Sequence, residues 1–380
     1  SFFTLFALLA SVVGSRRVDR AAEPAALEKS APIPWREKGV LVLLAAAPSS
    51  LMLGVTAHLS TDVASAPFLW VIPLALYLLT FVIAFQNKPW IPLPITLIVQ
   101  GAVGAVCVLL PPFGSPNWGL AYGINIIAFF FAALMCHQLL AKRRPAPDRL
   151  TEFYLLMSLG GVVGGAFTAL LAPVIFNMVW EYPLVLVLVG LARPWGKGEI
   201  TGKLLGALIA AAAVAAPPVL LSLWLDSNDE ARRAFYQFFP LGMGQLAMFM
   251  LIPAAICAFL VRDRAPVYTV ILVMIALSSQ WIARGYDWTF SERSFFGVMR
   301  VANVQDPRLG GDVHVLMHGT TLHGAQARHG HNECAPTLYY NVATPIGQSA
   351  LMVQKRGPAR IGVVGRGSWA LGAYMGAEGR

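Results

Sequence analysis

Residues 150–176 read LTEFYLLMSLGGVVGGAFTALLAPVIF, and beyond Glu152 the run carries no charge. A helix needs about 20 apolar residues to cross the hydrocarbon of a bilayer, so this stretch is long enough to do so by itself. Gly160, Gly161, Gly164 and Gly165 lie at its middle. Glycines four apart share one helical face, and a face without side chains lets a neighbouring backbone come close. Helix packing is the simpler expectation for such a notch, and a kink that passes substrate is the alternative.

The rest of the chain has the same texture. Of its 380 residues, 57% are hydrophobic and 12% charged, with a mean hydropathy of +0.64. Soluble globular proteins carry roughly 25% charged residues, so the composition is that of a membrane protein. The formal net charge of +9 does not call for nucleic acid. Basic residues crowd the loops between apolar runs, where they face anionic lipid and fix topology. The expected partner is therefore the lipid bilayer, crossed many times. Cys107, Cys136 and Cys257 lie inside apolar runs and Cys334 stands alone, so the cysteines give no disulfide framework. The opening residues SFFTLFALLASVVG have no initiator Met and no basic region before them. They read as the tail of a spanning helix, not as a signal peptide.

Ten apolar runs are candidates for spans: 2–14, 40–58, 68–86, 91–110, 118–140, 150–174, 177–192, 204–225, 239–261 and 266–283. The seventh is the weakest, being short and holding Glu181 and Pro183. Loops alternate in basic content, as the positive-inside rule requires of a multi-pass chain. The loop from Ser15 to Gly39 holds Arg16, Arg17, Arg20, Lys29, Arg36 and Lys38, whereas Ser60 to Ala66 holds no Lys or Arg. Residues 111–117 likewise have none, and 141–149 have Lys142, Arg143, Arg144 and Arg149. If all ten runs cross, everything after Ala283 is extracytoplasmic; if the seventh does not, the tail returns to the cytoplasm. Asp62, Glu152 and Glu181 sit near the ends of runs, where ionisable side chains usually reach water. His137 and Gln138, followed by basic residues, read as interfacial.

From about Tyr286 short β-prone runs take over: SFFGVMRV, DVHVLMHGTTLHG and ARIGVVG. They predict the start of an α/β sheet in a second domain, 286–380, after a transmembrane domain, 1–285. The run RIGVVGRGSWALG (360–372) passes from an apolar strand into Gly365 and Gly367. A backbone turning from strand to helix approaches a nucleotide closely only where side chains are absent, so these two glycines are the candidate cofactor-binding residues. Trp369 interrupts the glycine pattern. His329, His331 and Cys334 are spaced like zinc ligands, but no paired motif accompanies them and a polar loop is the better expectation. His318 and His323 are expected to be ordinary strand histidines.

The order of these features resembles one family, bacterial multi-spanning membrane proteins fused to a spermidine-synthase-like domain. The resemblance rests on PSSLMLGVTAHLSTDVASAPFLWVIPLALYLLTF (48–81), RPAPDRLTEFYLLMSLGGVVGGAFTALLAPVIF (144–176) and EYP (181–183). It continues through ERSFFGVMRV (292–301), HGTTLHGAQ (318–326), TLYY (337–340) and RIGVVGRG (360–367). What it implies is a small β-strand lead-in followed by a methyltransferase-like Rossmann sheet. Soluble relatives of that kind transfer an aminopropyl group from decarboxylated S-adenosylmethionine to putrescine, so that nucleoside is the implied co-substrate and a polyamine the implied small-molecule partner. The Asp-Gly-x-x-Gln of those enzymes stands here as His318, Gly319, Thr320, Thr321 and Leu322, and their Tyr-His-Glu as Tyr339, Tyr340 and Asn341. Tyr339 thus carries over as the implied substrate-binding residue. The ribose-binding and catalytic acids would lie past Arg380, so residues 1–380 alone are not expected to catalyse transfer. The alternatives are a transporter or permease whose soluble domain senses a ligand, and a scaffold with a degenerate domain.

Overall fold

The computed structural model describes residues 30–60, 70–110, 118–195, 202–239, 242–282, 288–319, 321–329, 333–357 and 374. Apolar helices dominate the first part: α1 (Trp35–His58), α2 (Val71–Ala84), α3 (Leu93–Leu109), α4 (Trp118–Lys142) and α5 (Leu150–Ala166). A π-helical turn, Phe167–Leu171, and a last α-turn, Ala172–Ile175, prolong α5. Then come α6 (Glu181–Leu188) with a 3-10 extension, Val189–Ala192, and α7 (Gly202–Asp226), α8 (Asp229–Phe238), α9 (Gly242–Leu260) and α10 (Ala265–Ile282).

Among the described residues, five helical segments are long and apolar enough to cross a membrane: Trp35–His58, Gly119–Lys142, Pro147–Ile175, Leu204–Asp226 and Ala265–Ile282. Val71–Ala84, Leu93–Leu109, Glu181–Ala192 and Gln245–Leu260 are apolar but shorter. These segments fall on nine of the ten expected runs, and the run 2–14 lies outside the described residues. Outward faces are apolar as well: Leu155, Val162, Leu170 and Val174 of the α5 segment are exposed. A soluble protein seldom leaves so large an apolar face uncovered, whereas hydrocarbon solvates it.

The glycine notch is packing. Gly160 and Gly164 lie against α1 so closely that a Cβ on either would run into the carbonyl oxygen of Val42 or Ala46. Gly161 has nothing within 4 Å of such a Cβ, so only one of the two expected pairs is used. Contacts then order the two ends of the bundle. Lys38 Nζ meets Glu152 Oε1 at 2.6 Å near the starts of α1 and α5, and the Ser50 and Thr168 hydroxyls meet at 2.7 Å further along both. The two helices therefore run parallel. At their starting end α4 finishes, with Arg143 Nε 3.1 Å from Glu37 Oε1, and α3 begins, since Gln138 Nε2 donates to the Ile91 carbonyl at 2.7 Å. α10 runs parallel to α3, with Tyr268 OH donating to Gly101 O at 3.0 Å and Ser279 Oγ to Val108 O at 3.1 Å.

His137 is not interfacial. It is fully buried, its Nδ1 2.9 Å from the Thr80 hydroxyl and its ring stacked on Phe81 at 3.7 Å. One helical turn still separates it from the basic loop, and that turn is enough to draw the imidazole between α2 and α4.

After α10 the chain forms an antiparallel sheet of β1 (Trp288–Ser294), β2 (Gly297–Asp306), β3 (Gly311–His318) and β4 (Thr321–Ala327), in the order β1-β2-β3-β4. SFFGVMRV is not a single strand: Phe295 and Phe296 form the turn between β1 and β2, and Gly297 takes the positive φ of +135° that closes it. DVHVLMHGTTLHG likewise splits into β3 and β4 around Gly319, which also has positive φ. Ala302, Val313 and Val315 form the core on one face, with Val304 and Ala325 against them. Helix α11 (Pro345–Lys355) follows, capped by the Thr344 hydroxyl, which accepts from Gly347 N. Gly365 and Gly367, and the strand expected before them, lie outside the described residues.

Candidate functional site

Two places bring polar chemistry together: an open cleft on the sheet, and a buried ion pair that joins the sheet to the bundle. The cleft, of about 370 Å³, has a floor of Val304, Val313, Val315 and Ala325, with Asp306 and Arg308 at its rim. Its other wall comes from the segment after β4, where Thr337 Oγ1 donates to the Ala325 carbonyl. Leu338 in that wall has φ +52°, the left-handed region that a branched side chain rarely adopts. Strain of this kind persists where surrounding structure enforces it, and it gathers at ligand sites.

Tyr339 follows directly. Its hydroxyl lies 3.0 Å from His323 Nδ1, and the His323 ring is 5.7 Å from that of His318. His318 Nε2 in turn lies 3.2 Å from the Phe296 carbonyl oxygen. Burial first, and then Tyr340, push the Tyr339 phenol above its usual value, so it is a neutral hydroxyl at physiological pH. The sheet thus presents a phenol, two imidazoles and the adjacent ring of Tyr340, 4.7 Å from Tyr339. Such a set hydrogen-bonds an amine or a hydroxyl and stacks on a cation or a flat ring.

The two strand histidines are partnered, as expected. Their meeting with Tyr339 is what the sequence left unseen; the only cue was the turn HGTTLH, which returns His323 beside the end of β3. The zinc expectation gains nothing: Cys334 is exposed, His331 lies outside the described residues, and no group of three or more metal-binding side chains occurs among those described.

The ion pair is built from β1 and the start of α6. Arg293 Nη2 donates to Glu181 Oε1 at 2.7 Å and Nη1 to Oε2 at 2.8 Å, the two-pronged arrangement a planar guanidinium allows. Nη1 also donates to the Met178 carbonyl at 2.6 Å, and the two side chains are 7% and 0% exposed. Glu181 therefore does not reach water, because β1 folds over it. Glu152 is as expected an edge residue, paired with Lys38 and Arg149. Asp62 lies outside the described residues.

From Glu181 the short segment runs back through the bundle. Tyr182 stacks on His58, at the finish of α1, with ring centres 5.2 Å apart. At its other end Arg193 is buried, Nε donating to Arg262 O at 2.8 Å and Nη1 to Leu97 O at 2.9 Å, near the start of α3. Glu181–Ala192 spans roughly 20 Å at ordinary helical rise, short of a ~30 Å hydrocarbon layer, yet it links the two ends.

Comparison with protein-family models, with curated proteins and with solved structures finds no match for this chain. Function therefore rests on the geometry above.

Proposed function

We propose that this is an integral membrane protein with a spermidine-synthase-like domain, whose cleft binds a small amine or an adenosyl nucleoside. The observation that carries the reading is the seat of Tyr339: its phenol meets His323 beside a cleft whose wall holds the strained Leu338. The antiparallel sheet supports the same reading, because the resemblance implies a small β-strand lead-in before a Rossmann sheet. In an active enzyme of this kind, the amine would attack the carbon next to a sulfonium, the C–S bond breaking to release the nucleoside as a neutral thioether, while a carboxylate accepts the amine proton. The cleft residues would bind and orient the amine.

A second reading is favoured by the threading of the helices. The sheet meets the bundle at the end opposite Lys38, Arg143, Arg149 and Arg262, and the positive-inside rule puts such basic ends in the cytoplasm. A domain on the far side meets ligands from outside, not a nucleoside made in the cytosol. That favours a transporter or scaffold whose degenerate domain senses a polyamine.

Equilibrium binding of labelled decarboxylated S-adenosylmethionine and of labelled spermidine to the full-length protein tests both. Saturable nucleoside binding, together with spermidine binding that weakens several-fold in Tyr339→Phe, supports the enzyme; saturable spermidine binding alone supports the sensor. Saturable binding of neither removes both.

A further inference from the structure

The turn between β1 and β2 exposes two adjacent phenylalanines, Phe295 (68% exposed) and Phe296 (91%). Two residues earlier Arg293 is locked to Glu181 and Met178 at the end of the bundle, and Ser291 Oγ reaches the Asn177 carbonyl at 3.5 Å. Residues two apart on a strand share a face, so Ser291 and Arg293 define the face of β1 that lies on the bundle. Phe295 and Phe296 follow that strand end in the turn. β1 also touches the final α-turn Ala172–Ile175, where Val174 is 74% exposed and faces outward as the helix meets the surface.

We propose that the Phe295–Phe296 turn is a membrane wedge, seated in the interfacial layer of the leaflet next to the sheet. Lipid is the occupant because the strand that leads into the turn is clasped to the end of the apolar bundle and touches its last α-turn, Ala172–Ile175, whose Val174 is exposed. Aromatic rings favour that layer, with the ring among acyl chain ends and the backbone at headgroup level. The His318 contact to the Phe296 carbonyl fixes the turn and ties wedge and cleft together. Clasp and wedge would then hold the domain at two points, one on protein and one on lipid.

The test uses the full chain in nanodiscs, with photoreactive benzoylphenylalanine placed in turn at 295, at 296 and, as a control on the same domain, at the exposed Met352. Mass spectrometry after irradiation should find lipid adducts at 295 and 296, at least several-fold above those at 352. Equal adducts at all three positions, none at 295 and 296, or chain-to-chain adducts there in place of lipid would each overturn the proposal. Because both rings are exposed, neither replacement removes a core contact, and retention of the size-exclusion peak checks that the chain remains folded.

Discussion

Gly164 and Gly161 are three residues apart on one helix and answer to different constraints. A Cβ at Gly164 meets the Ala46 backbone, whereas at Gly161 it meets nothing within 4 Å. Gly164→Val should force α1 and α5 apart and cost about 1–3 kcal/mol or more, the usual scale of overpacking. Gly161→Val should leave the melting temperature in detergent almost unchanged, and equal losses from both would contradict the notch geometry. Glu181 is constrained by charge. Arg293→Met strands a buried carboxylate, a change that costs about 3–5 kcal/mol in comparable sites. The double variant Glu181→Leu with Arg293→Met should regain part of that loss, read as thermal stability or as resistance of the sheet to protease. Asp148 gives the acid-side counterpart: hydrogen bonds from the Ser30 hydroxyl and N–H hold its carboxyl below the usual value. A lowered carboxylate contributes stability above its unfolded value, near pH 4, and loses it as pH falls through the folded one. Thermal melts of Ser30→Ala should therefore match wild type more closely as the pH drops below about 4 than at neutral pH.

Among the elements, hydrophobic run length told where helices form but not how much of each run is helical. Pro92 leads into α3 and Pro34 into α1, so the helices start where proline fixes φ and not where apolarity begins. The 177–192 run illustrates the limit. Its length and its Glu181 argued for a partial span, yet the segment links both ends of the bundle because its charges are met by β1 on one side and by backbone carbonyls on the other. Pairing over 112 residues leaves no local pattern to read. β2, β3 and β4 were legible as β-prone runs, whereas β1 was not, and the turn at Phe295–Phe296 was hidden inside one of the runs; only Gly297 hinted at it. The resemblance pointed to Tyr339, whereas nothing pointed to His323 beside it, since neither residue carries a motif that demands the other. His323→Ala should therefore release the Tyr339 hydroxyl without unfolding the sheet, visible as weaker spermidine binding with an unchanged circular dichroism spectrum.

For the molecule as a whole, the ordering of helix ends turns sidedness into a measurable property. Cys334 is exposed on the sheet domain, whereas Cys107 and Cys136 are buried in the bundle. A membrane-impermeant maleimide added to intact cells stripped of their outer wall should label Cys334 if the basic loops face the cytoplasm. Labelling that needs permeabilised cells would return the domain to the nucleoside's compartment and favour the enzyme over the sensor. The clasp also constrains how the protein is made. Glu181 leaves the ribosome 112 residues before the arginine that neutralises it, so the join between bundle and sheet can close only after β1 has been translated.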